Sequence, residues 1–100
     1  MAFKFPCDMT EDERKAYHAK RFADERRAGA KRFGLKPSEV LFYNRGICYD
    51  RVTVRTKAAA EKVAASVEGD TVNGGYFDGM PLGCITETTT DGKLAYNVTC

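Results

Sequence analysis

The sequence predicts an α+β fold: two helices packed on one face of a mainly antiparallel sheet of four or five strands, in the order α-β-β-α-β-β with room for one more strand. Three observations lead there. A capping box at Thr10 opens a long charged amphipathic segment, an alanine-rich segment of helical period begins near residue 57, and Asp91-Gly92 separates two alternating runs. One hundred residues, 43% of them apolar, suit a single domain spanning 1–100.

The first helix starts at Thr10, whose hydroxyl can accept from a first-turn amide while Glu13 reaches back to the cap amide. Glu11, Asp12 and Glu13 suit the positive end of the helix dipole. The helix is expected to run to Phe33 and stop at Gly34, a residue suited to the left-handed C-cap. At 100° per residue Ala16, Ala19, Phe22, Ala23, Ala30 and Phe33 share one arc, with Arg26 snorkelling inside it. Arg14, Lys20, Arg21, Arg27, Lys31 and Arg32 share the opposite arc with Tyr17 and Asp24. The buried stripe is mostly alanine, so this helix is read as docked, with a cationic outer face.

Lys36-Pro37-Ser38 is a connector, because the residue before proline is pushed away from helix. Residues 40 to 56, VLFYNRGICYDRVTVRT, read as a hairpin turning at Asn44-Arg45-Gly46, against a competing short helix at 38 to 43. In its second strand Val52 and Val54 point one way, and Arg51, Thr53 and Arg55 the other. A second helix runs from Thr56 or Lys57 to Gly69, with Ala59, Ala60, Val63, Ala64 and Val67 as its apolar stripe. Together with its flanking strands it makes a β-α-β-type unit. A two-residue turn at Asp91-Gly92 would pair Thr90 with Lys93, Thr88 with Ala95, Glu87 with Tyr96 and Ile85 with Val98. That register places Cys84 and Cys100 on opposite faces, which argues against a disulfide between them.

Composition excludes several function classes. No apolar run approaches the roughly 20 residues of a membrane span, and the N-terminus lacks the pattern of a signal peptide. A cytoplasmic protein with reduced thiols is therefore expected. The separations of Cys7, Cys48, Cys84 and Cys100 are 41, 36 and 16 residues, and His18 is the only histidine, so no zinc site is read. No motif marks an activated nucleophile beside His18, and no cofactor is implied: the expectation is a protein that is not an enzyme. A small hydrolase or nuclease with an unmarked site is the weakest reading. Net charge is +2, but residues 14 to 36 carry nine basic and two acidic side chains, leaving −5 elsewhere. Such a layout concerns partners, not fold.

The segment VNGGYFDGMPLG, residues 72 to 83, combines four glycines with Tyr76, Phe77 and Met80. It lacks the lysine, spacing and following helix of a phosphate loop, and Asp70 and Asp78 flank it. Two readings are open. The aromatics cap the core at the end of a bulged strand, the preferred one, or some of Tyr76, Phe77 and Met80 protrude as a partner anchor. On a strand Tyr76 and Phe77 would face opposite ways.

In style the chain, with TEDERKAYHAKRFADERRAGAKRF as its charged helix and VNGGYFDGMPLGCITE as its loop segment, resembles the small accessory proteins carried by phages, anti-CRISPR and other anti-defence proteins among them. The resemblance rests on overall character and transfers no functional residue. It implies an inhibitor that binds a host protein or ribonucleoprotein complex by surface complementarity. Many anti-CRISPR proteins are strongly acidic DNA mimics; this chain is not, so mimicry is not implied. The basic helix face and the Tyr76, Phe77, Met80 group are the expected partner-binding residues. Nucleic acid on the same helix face is the alternative, and a homodimer through strands 40 to 56 or the terminal strand is left open.

Overall fold

The computed structural model describes residues 6–100; the first five residues, which enter the reading of a missing signal peptide, lie outside them. Thr10 caps α1 (Glu11–Phe33) as its chemistry dictates: Thr10 Oγ1 accepts from the Glu13 amide at 3.2 Å and the Thr10 amide donates to Glu13 Oε1 at 3.5 Å. Gly34 ends the helix in the left-handed region at φ 66°, and the Leu35 amide closes onto the Ala30 carbonyl at 2.8 Å. Lys62 Nζ, from the second helix, adds a bond to the Gly34 carbonyl at 2.9 Å, placing a cation at the negative helix end.

A 3-10 turn at Pro37–Glu39 leads into β1 (Val40–Asn44). β2 (Arg51–Val54) follows, then α2 (Lys57–Ser66), β3 (Ile85–Thr90) and β4 (Lys93–Thr99). The strand order is β1-β2-β4-β3, every neighbouring pair antiparallel. β2 and β3 are thus parallel with β4 between them, and α2 forms the crossover of a split β-α-β unit. The expected register of the last hairpin is present in all four pairs, with Asp91 at φ 54° and Gly92 at φ 72° in the turn.

One sheet face carries the core. Val40, Val52, Val54 and Val98 are fully buried from the strands and Val63 from α2, with Ala59, Ala60 and Ala30 between them. Small side chains let the helices lie close: Gly29 sits where a Cβ would be 3.0 Å from the Tyr43 ring. Arg26 does not simply snorkel; its Nε donates to the Val40 carbonyl at 3.0 Å and its Nη2 to that of Pro37 at 3.3 Å, tying α1 to the start of β1.

Two expectations are corrected here. The apolar arc of α1 is buried only at its C-terminal end, at Gly29, Ala30 and Phe33. Ala16 and Ala19 are exposed and Phe22 is 49% exposed, because a 23-residue helix is about 34 Å long and overreaches the sheet it docks on. The first hairpin does not turn at Asn44-Arg45-Gly46. Residues 45–50 form a longer loop, and pairing resumes only at Arg51.

Truncating Val63 to Ala should lower unfolding free energy by about 2 kcal/mol, read by denaturant titration. Alkaline stability offers a second check. Burial pushes the Cys100 thiol up from an ordinary 9.0 to about 11, with Arg32 opposing and Asp50 adding. Burial likewise raises the Tyr43 hydroxyl, with Arg32 opposing. Because the fold favours the protonated thiol, that contribution is complete below pH 9 and is lost as pH rises through 11. The melting temperature should fall across this window, and less steeply in Cys100→Ala.

Candidate interaction surface

The six basic residues expected on the outer face of α1 separate into different roles. Arg21 Nε meets Glu25 Oε1 at 3.3 Å and Arg27 Nη2 meets Asp24 Oδ1 at 2.7 Å, so one turn of the helix answers each charge from within. Arg14 Nη2 lies 3.4 Å from the Met9 carbonyl. Lys20 and Lys31 are exposed, with no ion pair among the described residues. Arg32, still partly exposed, reaches back across the sheet edge instead. Its Nη1 donates to the Tyr43 hydroxyl at 2.6 Å and to Asp50 Oδ2 at 2.9 Å, and its Nη2 to the Cys100 carbonyl at 3.2 Å. His18 is exposed and meets Tyr17 edge-on, with ring centroids 5.5 Å apart.

The glycine-rich segment is a laced loop and not a bulged strand. Val72, 2% exposed, anchors it; its amide donates to the Met80 carbonyl at 2.9 Å and its carbonyl accepts from the Gly79 amide at 2.8 Å. Leu82 donates to the Asp70 carbonyl at 3.0 Å, and Thr71 bridges to Pro81. At the tip Gly74 and Gly75 adopt φ 87° and 77°, and Asp78 Oδ1 accepts from the Gly74 amide at 2.7 Å. Strand alternation therefore does not apply. Tyr76 is 93% exposed and Phe77 43%, both outward, while Met80 is half-buried.

The 45–50 loop meets this tip. Gly75 packs on Cys48 so closely that a Cβ would lie 2.7 Å from its Sγ. Phe77 stands edge-on to Tyr49 at 5.7 Å and to Tyr76 at 5.1 Å. Ile47 beside them is fully exposed. Asn44, Arg45, Ile47, Tyr49, Arg51 and Phe77 line a depression of about 410 Å³ here. Asn44 and Arg45 also line a larger depression of about 930 Å³ along α1, shared with Tyr17, Arg21, Phe22 and Glu25. The loop anchor and the helix face thus border one continuous surface, joined at Arg45.

Tyr76 and Phe77 belong to this surface as the protruding reading expected. Arg45, Ile47 and Tyr49 are additions that the sequence reading assigned to a turn and a strand. Their signal was present: Arg45, Ile47 and Tyr49 crowd into five residues around Gly46, in a segment with no alternation. Among the described residues no three His, Cys, Asp or Glu side chains converge as metal ligands, and no helix is long and apolar enough to cross a membrane.

Because Arg32 holds the fold together, Arg32→Ala should cost about 1–2 kcal/mol of stability, whereas Lys31→Ala on the next position should stay within about 0.5 kcal/mol; thermal melts of both separate the roles. Comparisons with protein-family models, curated proteins and solved structures find no match.

Proposed function

We propose that the protein is a non-enzymatic binding module that engages a protein partner through Ile47, Tyr49, Tyr76 and Phe77, framed by Arg45 and Arg51. The observation that carries this reading is the apolar cluster itself: Tyr76 at 93% exposure and Ile47 fully exposed, on two loops braced against each other. Leaving side chains of this size in water forgoes about 1.5–3 kcal/mol each, a stabilisation that a partner pocket would supply. Aromatic residues and arginine are the types that dominate interface energetics, and the two arginines favour a partner with an acidic rim.

The setting we propose is a phage-encoded inhibitor of a host defence protein or ribonucleoprotein complex, acting stoichiometrically in the cytoplasm. Surface complementarity is the mode suited to such a protein. The helix face predicted to supply the electrostatic contact now has a smaller part. Arg21 and Arg27 are paired within the helix and Arg32 is bound to Asp50, which leaves Lys20 and Lys31 as its outward cations without an ion pair among the described residues. The same pairing weakens the case for nucleic acid on that face.

Affinity capture from a bacterial lysate, with and without nuclease, names the partner, and titration of the purified partner tests the surface. Tyr76→Ala and Ile47→Ala should each weaken binding by about tenfold or more, as expected of anchor residues, with unchanged melting temperature. Lys20→Glu should change affinity by less than about threefold. A partner that binds Tyr76→Asp and Ile47→Asp as tightly as the unaltered protein would exclude this surface.

A further inference from the structure

Both helices pack on one face of the sheet, and the opposite face is defined by the strand register. Thr53 pairs with Asn97 and with Phe42, and Asn97 pairs with Thr86, so these side chains share that face. Thr53 Oγ1 donates to Asn97 Oδ1 at 2.5 Å across it. Alternation adds Arg51 from β2, Lys93 from β4 and Thr88 and Thr90 from β3, and Arg55 follows one residue past the end of β2; Thr53 and Ala95 at the centre of this face are buried. The strands place two cations, Arg51 and Lys93, and no carboxylate here, with Arg55 just past β2; Glu87, the one acid within the four strands, pairs with Tyr96 on the helix side.

We propose that this open face binds single-stranded nucleic acid. Arg51 opens β2 and Arg55 follows its end, roughly 13 Å of near-extended chain apart, with Lys93 on the neighbouring strand continuing the line. Arg55 Nη1 is buried and makes no hydrogen bond among the described residues, so its positive charge, not this nitrogen, is what the face offers a phosphate. The Asn97 amide nitrogen likewise has no hydrogen bond there, since Thr53 occupies only its oxygen. Phe42, 40% exposed at the β1 edge beside Phe22, offers a ring for stacking. Cations for phosphates, an amide and threonine hydroxyls for base edges, and an aromatic ring are the groups by which a sheet reads unpaired bases. A duplex fits poorly: four strands span roughly 14 Å between the outer pair, wider than the ~12 Å major groove, and no ribbon rises from this face to enter it. The acid-free face also contrasts with α1, where carboxylates answer two of the arginines.

The proposal stands on other residues than the aromatic cluster, Arg51 excepted, so the test avoids Arg51. Fluorescence anisotropy with a labelled mixed-sequence RNA or DNA strand of about 12 nucleotides is run at two salt concentrations. Binding is expected at low salt and should weaken as salt rises. Thr86→Glu with Lys93→Glu, both exposed positions, should reduce affinity by about tenfold or more. Lys20→Glu with Lys31→Gln changes net charge by the same amount on the helix and should cost less than about threefold. Titration of the unaltered protein should shift the Thr86, Thr88 and Asn97 amide resonances ahead of those of α1, a readout that needs no variant to fold. Absence of binding at low salt, equal losses in the two double variants, or tighter binding of a duplex of the same sequence would each overturn it.

Discussion

The carboxylate of Asp50 is the group on which the rest of the arrangement depends. Oδ2 accepts from Arg32 and from the Tyr43 hydroxyl, each at 2.9 Å, and Oδ1 accepts from the Gly46 amide at 3.2 Å. Its own backbone carbonyl accepts from the Cys100 amide at 2.8 Å. One residue thereby joins the C-terminal turn of α1, the middle of β1, both ends of the 45–50 loop and the last residue of the chain. A hydrogen bond to a charged group contributes about 1.5–3 kcal/mol, less where solvent reaches it. Here the larger effect is positional: with Gly46 and Asp50 held, Ile47, Cys48 and Tyr49 form an arch that the glycine-rich tip can lean on.

The core explains why so much aromatic surface lies outside. Its fully buried side chains are valines and alanines, and the helices contribute alanine and glycine at their closest approaches. Such a core packs densely over short interaxial distances but has no space for Tyr49, Tyr76 or Phe77. Two large rings belong to it, Phe33 and Tyr43, which meet edge-on at 6.5 Å.

Much of this was legible in the residues, and what was not has physical causes. Thr10, Glu13 and Gly34 define α1 because caps are local chemistry, and Asp91-Gly92 defines the last hairpin because two adjacent positive φ angles impose one register. The 45–50 loop was misread because Ile47 and Tyr49 favour strands only as residues that fit a half-buried pleated surface, and no such surface exists at that point. Alternation failed at Tyr76 and Phe77 because Gly74 and Gly75 leave the extended region altogether. Periodicity identified the apolar arc of α1 correctly, but periodicity says which side is apolar and not whether anything lies opposite. The bracing role of Arg32 depends on partners 11, 18 and 68 residues away, beyond any local pattern.

The tip of the glycine-rich loop is held by its own backbone: the Asp78 clamp on Gly74, the Gly75 contact with Cys48, and the Val72 anchor. The Tyr76 side chain takes part in none of these; its ring stands edge-on to that of Phe77. The frame and the side chain it displays are therefore separable at this position. A different side chain at 76 would be displayed on the same frame, already ordered, with little entropy left to lose on association. The loop is a socket whose insert can be exchanged by one codon without rebuilding the domain beneath it.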